Sequence, residues 1–360
     1  MISRKTKIAC IQPEYPHYRS EFFNTLKENV EVMDLYAYNR FEDTESNGFN
    51  VVKHSISYIK NIQIKGILIY NIFTLLCGKY DTLVLMLNFT HLSTWILLLT
   101  KILHRKKIIL WGQGISVKRY LKEEVKPDWK LKAMISMADG VWVYMDKECE
   151  QWKKIFPKKK IVALNNTVSE VEDILAYTSS QPKNLLKKKY NIKEDIVLIF
   201  CARFTNQYRR IDILLNTIKK LDTTKFGFII IGDGSLKPNF TSYSNVYDFG
   251  AVYDTNVKQE LFTIADIYFQ PGWVGLSIVE AMAYGKPIFT MQRSVETKQC
   301  VEYSYIQDQY NGIIFSDEKV LVEKISSINK EEINNLSFNA HKTAENLTIK
   351  NMSDNAVSIL

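Results

Sequence analysis

Short apolar runs recur along this chain, each followed by a polar turn and then by a stretch whose apolar positions fall at helical spacing. In the first half the runs are K-I-A-C-I-Q (7–12), V-E-V-M-D-L-Y (30–36), T-L-V-L-M (82–86), K-I-I-L-W (107–111), G-V-W-V-Y (140–144) and I-V-A-L (161–164). Helical candidates lie between them at 19–28, 94–104 and 129–137. In the second half the runs are I-V-L-I-F (196–200), F-G-F-I-I-I (226–231), V-Y-D-F (246–249), I-Y-F-Q (267–270) and P-I-F-T (287–290), with a helix at 210–221 between the first two. Strands of about five residues alternating with helices predict parallel sheets covered on both faces. Two such blocks are joined by a polar stretch at 171–192. The pattern therefore predicts one domain over 1–170, a linker over 171–192, a second domain over 193–340 and a helical tail over 341–360. Ligands of such sheets bind beyond the carboxyl ends of the strands, so two facing domains predict a cleft.

Length agrees with this division, since 360 residues suit two domains of about 150–180 residues better than one core. Apolar residues at 46% and charged residues at 24% are ordinary for a globular chain. The longest apolar stretch, 83–100, is broken by Asn88, His91, Ser93 and Thr94. A spanning helix needs about 20 mostly apolar residues, so this stretch reads as strand, loop and helix. The apolar piece I-A-C-I-Q near the start is short for a signal peptide and has no small-residue cleavage site behind it. Cysteines 10, 77, 149, 201 and 300 have neither metal-ligand nor disulfide-framework spacing, which suits a reducing cytoplasm.

Charge changes the picture for the first half only. Residues 1–190 carry 30 Lys/Arg against 19 Asp/Glu, and residues 191–360 carry 17 against 20. The excess gathers in K-I-L-H-R-K-K (101–107), K-K-I-F-P-K-K-K (153–160) and K-N-L-L-K-K-K (183–189). Such runs serve as a solvated face, as an attraction for anionic lipid headgroups, or as a nucleic-acid footprint. Nucleic acid ranks last, because no zinc finger, helix-turn-helix or RNP pattern accompanies them.

The chemistry concentrates in Q-P-G-W-V-G-L-S-I-V-E-A-M-A-Y-G-K-P-I-F-T (270–290). A strand ends at Gln270, Pro271-Gly272 turns, and a helix begins near Leu276 and stops at Gly285 before Pro287. Gly275 lets a ligand approach the backbone, and the free N–H groups of the helix start, around Gly275, Leu276 and Ser277, form an anion site. Glu280 lies one turn on from Leu276 on the same helix face, and helical side chains tilt toward the N-terminus. A carboxylate there fits sugar hydroxyls beside a phosphate, which together describe a nucleoside diphosphate. The bland alternative is an amphipathic helix with one acid on its solvent face.

G-L-S-I-V-E-A-M-A-Y-G-K-P-I resembles the donor-binding helix of family-4 glycosyltransferases of the GT-B fold, whose pattern is E-G-x-G-L-x-x-x-E-A-M-A-x-G-x-P. Upstream, A-R-F-T-N-Q-Y-R-R-I-D-I-L-L (202–215) resembles G-R-L-x-x-x-K-x-x-D-x-L-L, and I-I-I-G-D-G-S (229–235), with Gly232, resembles the following I-x-G-x-G. L-N-N-T-V (164–168), P-H-Y-R-S-E-F-F (16–23) and W-G-Q-G (111–114) resemble pieces of the bacterial polysaccharide branch. The likeness is specific over about 196–295, looser over 1–35 and 105–170, and absent in the tail. It implies two Rossmann-like, doubly wound domains and transfer of a sugar from a nucleotide-sugar donor to an acceptor hydroxyl, with retention of configuration and no metal.

By the same resemblance Arg203 and Arg209 clamp the donor diphosphate, with Arg210 as an alternative to Arg209 because of one extra residue. Gln113 faces the reacting carbon, unless it is a structural amide. His17 and Arg19 in the first loop contact acceptor or phosphate. Two departures stand out: the first Glu of the pattern falls on Gly272, and the His of W-G-H-G is Gln113. The basic first domain suits a lipid-linked saccharide acceptor at an anionic membrane surface, which implies a cytoplasmic enzyme, peripheral on the membrane, of cell-surface polysaccharide assembly. Rival readings are a non-catalytic scaffold of the same fold and a nucleotide-sugar epimerase. A dinucleotide oxidoreductase ranks last, since the first strand lacks G-x-G-x-x-G.

Overall fold

Every strand-forming run read from the sequence lies in one of two parallel sheets of the computed structural model, which describes residues 6–40 and 56–360. The first sheet runs Ile56–Tyr58, Val32–Ala37, Lys7–Gln12, Thr82–Met86, Lys107–Gly112, Gly140–Val143, Lys160–Ala163. The second runs Val246–Asp248, Phe226–Ile231, Ile196–Cys201, Ile267–Phe269, Ile288–Met291, Gly312–Phe315. Each starts from a central strand, adds two to one side, then crosses over and grows on the other. That is the doubly wound order expected of dinucleotide-type sheets. The order reverses between Lys7–Gln12 and Thr82–Met86 in one sheet, and between Ile196–Cys201 and Ile267–Phe269 in the other.

Both faces of the first sheet are covered, as the unbroken apolar runs require. Along Lys107–Gly112, Ile108 and Leu110 enter one core while Ile109 and Trp111 enter the core on the opposite face. In the second sheet Phe226–Ile231 is buried at every position, and Phe200, Phe228 and Phe269 fill one core with Phe204, Leu214 and Ile218.

The chain divides into two units, Met1–Ser169 with Thr348–Leu360, and Glu170–Leu347. This departs from the expected division at two places. The stretch 171–192 is no linker: it forms the helices Val171–Ala176 and Lys183–Lys189 within the second unit. There Leu186 is buried, Lys183 pairs with Asp266, Lys189 pairs with Glu260, and Lys187 donates to the Glu194 carbonyl. That basic run is thereby tied down by its own unit. The end of the chain is no separate tail either. Helix Ile349–Val357 packs Met352 and Ala356 against Phe22 and Leu26 of the first unit, and Lys107 Nζ donates to the Ile359 carbonyl at 2.7 Å.

Smaller differences have local causes. The expected helix 94–104 is split into Leu92–Leu99 and Lys101–His104, where Thr100 Oγ1 donates back to the Ile96 carbonyl at 2.7 Å. An unforeseen hairpin pairs Asn61–Ile64 with Ile67–Tyr70. Its two-residue turn, Lys65-Gly66, has positive φ at both positions, as tight hairpins require. No helix of the described residues is long and apolar enough to cross a membrane.

Candidate functional site

In the second unit the loops that leave Ile196–Cys201 and Ile267–Phe269 flank the point where strand order reverses. The first of these loops is shaped by a glycine on a neighbouring strand end. Gly232 has φ 134, and a Cβ there would lie 2.1 Å from the Ala202 carbonyl oxygen, so only glycine lets the two turns nest. Asn206 then caps the short turn Gln207–Arg209 by accepting from the Tyr208 N–H at 2.9 Å.

Three arginines emerge from this loop. Arg203 is exposed just past the strand end. Arg210 has a left-handed backbone, φ 54, and its guanidinium is committed: Nε donates to Asp212 Oδ1 at 3.0 Å, Nη2 to Oδ2 at 2.7 Å, and Nη1 to Thr297 Oγ1 at 2.6 Å. Arg209 differs. Its Nε is buried with no hydrogen-bond partner among the described residues. Burial lowers its pKa, the nearby Tyr268, Cys300 and Cys201 act the other way, and the Arg203 charge adds to the lowering. Arg203 and Arg209 are thus close enough to feel each other.

The second loop is held by two buried glutamines. Gln270 Nε2 donates to the carbonyls of Gly272 at 3.1 Å and Trp273 at 2.7 Å, while its Oε1 accepts from Tyr268 OH at 2.8 Å. Gln299 Oε1 accepts from the Val274 N–H at 2.9 Å, and its Nε2 donates to the Met291 carbonyl at 2.8 Å. Gly272 is fixed by sterics, since a Cβ there would lie 2.3 Å from the Tyr208 carbonyl oxygen. Helix Ser277–Ala283 follows, with Leu276 at its N-cap and no side-chain cap. The N–H groups of Gly275, Leu276 and Ser277 meet no acceptor among the described residues. Gly275 faces open space: a Cβ added there would find only Cys300 Sγ, 3.9 Å away. The helix closes as expected, with the Gly285 N–H donating to the Met282 carbonyl and the Lys286 N–H to that of Ala281, both at 2.8 Å.

Glu280 carries a correction. Instead of a lone acid, it forms an ion pair with Lys258 of helix Thr255–Ile264. Burial works against the Lys258 charge, but Glu280, with Cys201 and Glu170, offsets this and holds its pKa above the usual lysine value. The sequence reading missed Lys258 because it lies on another helix, 22 residues away. It also missed Gln270 and Gln299, whose part in the loop depends on tertiary packing.

In the first unit, Gln113 follows strand Lys107–Gly112 and is half-buried, and no described protein group bonds its amide. The structural-amide alternative therefore has no partner to support it. His17 is exposed, with its ring edge-on to Tyr18 at 5.9 Å. Arg19 turns inward, contrary to expectation: its Cζ lies 5.2 Å from the Trp111 ring and 5.3 Å from the Tyr144 ring, and Nη2 donates to Tyr144 OH at 3.2 Å. A cation so enclosed by aromatic faces fastens its loop to the strand ends.

Residues 195–331 match the family model described as "Glycosyl transferases group 1". Over 101 residues the chain is 39% identical to an uncharacterised 41.2 kDa protein in the cps region of Klebsiella pneumoniae; the match spans 27% of this chain and 27% of that one. Among solved structures it resembles HepE of Anabaena in complex with UDP, at 12% identity and TM-score 0.66 over 98% of both chains. It also resembles a glycosyltransferase of Rickettsia africae, at 16% identity and TM-score 0.65 over 99% of this chain and 97% of that one. The lipopolysaccharide outer core galactosyltransferase WaaB gives 16% identity and TM-score 0.65 over 98% of this chain and 100% of that one.

Proposed function

We propose that this chain, which has the GT-B fold and a group 1 glycosyl transferase segment in its second unit, moves a sugar from a nucleoside diphosphate to an acceptor hydroxyl. One observation carries the reading: Arg209, whose buried Nε has no hydrogen-bond partner among the described residues, sits in the same site as three N–H groups at a helix front that meet no acceptor there. Arg209 lies near Tyr268 and Cys300, and these touch Ser277 and face Gly275. A buried guanidinium N–H without a partner and orphan backbone donors are both costly, and a diphosphate satisfies both at once.

The chemistry follows from that placement. As the sugar–oxygen bond breaks, charge grows on the departing diphosphate, where Arg203, Arg209 and the N–H groups of Gly275, Leu276 and Ser277 oppose it. These cations are the reason we propose metal-independent transfer. Glu280 uses Oε1 for Lys258, and a carboxylate has acceptor capacity to spare for a ribose hydroxyl. The assignment of Gln113 to the reacting sugar rests on the family resemblance. Retention of configuration rests on the family resemblance.

For the acceptor we propose a lipid-linked saccharide met at the cytoplasmic membrane surface during cell-surface polysaccharide assembly. The supporting feature lies on the first unit. Two basic runs distant in sequence converge there, Lys101, Arg105, Lys106 and Lys107 with Lys158, Lys159 and Lys160. Beside them Leu99, Ile102 and Leu103 are 69%, 85% and 81% exposed, an apolar edge next to positive charge.

Thermal shift against UDP-, GDP-, dTDP- and CMP-sugars tests the donor. UDP-sugars come first because HepE was solved with UDP-glucose. One diphosphate class should raise the melting temperature by a few degrees, while CMP-sugars, with one phosphate, leave it unchanged. Stabilisation by none of them overturns the reading. Stabilisation without donor hydrolysis or transfer points instead to a non-catalytic scaffold.

A further inference from the structure

Next to the diphosphate site stands an aromatic pair that the donor reading leaves unused. Trp273 follows Gly272 and precedes the helix front by two residues, and its ring stacks on Tyr208 with centroids 5.2 Å apart and planes 20° from parallel. Tyr208 immediately precedes Arg209. The pair therefore joins the two loops that flank the reversal of strand order.

This pair is built rather than incidental. The Trp273 N–H donates to the Lys298 carbonyl at 2.8 Å, and its own carbonyl accepts from buried Gln270 at 2.7 Å. Both ends of the residue are fixed while φ is 54, a left-handed value that bulky side chains avoid. Trp111, Trp142 and Trp152 are fully buried in the core of the first unit, whereas Trp273 remains half-exposed. Its neighbour Gly272 has no room for any side chain, so no acid or amide can grow from that position over the ring.

We propose that Trp273, braced by Tyr208, is the wall against which the donor's sugar ring lies, and that it selects a neutral hexopyranose by its C–H face. The proposal rests on the nucleoside diphosphate reading above. A sugar attached to a diphosphate at Gly275–Ser277 and Arg209 begins one bond beyond the phosphate, within reach of the adjoining residues. Aromatic faces carry negative charge density and pyranose C–H bonds a slight positive one, so stacking is attractive where both surfaces leave water. A hexose gains from this contact without any charged partner.

Binding titrations that separate nucleotide from sugar provide the test. Wild type, Trp273→Gly and Trp273→Phe are each titrated with UDP, GDP or dTDP, whichever stabilises the wild type most, and with the matching nucleotide-hexose. Glycine suits the left-handed backbone, so that variant keeps its fold. Trp273→Gly should bind the free nucleotide within about twofold of wild type and the nucleotide-hexose roughly three- to tenfold more weakly. Trp273→Phe should recover most of the loss. Equal weakening of both ligands would mean that the ring merely supports the helix front, and no weakening would mean that the sugar lies elsewhere; either overturns the proposal. Failure of the wild type to bind any of the three nucleotides overturns the donor reading itself, and this inference falls with it.

Discussion

Arg210 has a left-handed backbone and its guanidinium donates to Asp212 and Thr297, whereas the buried Nε of Arg209 has no hydrogen-bond partner among the described residues. Sequence spacing allowed either residue as the second clamp, because one position separates them and both follow the same turn. The commitment of Arg210 to Asp212 and Thr297 favours Arg209 as the proposed clamp. Glu280 and Lys258 show the same dependence on context. Glu280→Ala removes both the proposed ribose contact and the partner of a part-buried lysine, so it should weaken nucleotide binding and lower stability by about 1–3 kcal/mol. Adding Lys258→Met should restore stability but not affinity, measured by urea unfolding and nucleotide titration in parallel. Unchanged nucleotide affinity in Glu280→Ala contradicts the ribose assignment.

At the level of elements, the strands and the helix Ser277–Ala283 were legible because burial on both faces leaves an unbroken apolar run, and a helix ending in Gly-x-Pro has a local signature. The loop between them was legible only as a turn. Its shape comes from Gln270, which bonds within its own loop, from Gln299, which reaches back 28 positions to the Pro271 carbonyl, and from the Gly272–Tyr208 contact, none of which leaves a periodic trace. The hairpin at Lys65-Gly66 was missed for a different reason, since it lacks the Asn-Gly or Asp-Gly pair that marks most tight turns. Gly272 offers a direct test of the packed loop. Gly272→Ala must displace the turn Gln207–Arg209, and should cost about 1–3 kcal/mol in urea unfolding. It should also weaken nucleotide binding, because Arg209 sits on that turn. Wild-type stability in this variant would show that the contact yields freely.

Across the whole molecule, two sheets with the same winding account for the repeated strand–helix pattern, and the last helix, returning to the first unit, explains why the tail carries buried Met352 and Ala356. The charge asymmetry is only partly a surface property. Lys101, Lys106, Lys107 and Lys159 each donate to backbone carbonyls of the first unit, which leaves the apolar edge of Ile102 and Leu103 to carry much of any membrane attachment. Wild type should float with anionic liposomes at low salt, and Ile102→Asp with Leu103→Asp should abolish flotation while leaving nucleotide affinity intact. Flotation that survives both changes argues against this edge as the contact. The central claim, a diphosphate held between Arg209 and the helix front, is tested most directly by titrating the stabilising nucleotide into three proteins. Arg209→Ala should bind about 10- to 100-fold more weakly than wild type, with Arg210→Ala less stable but binding within about threefold. Wild-type affinity in Arg209→Ala would contradict the account.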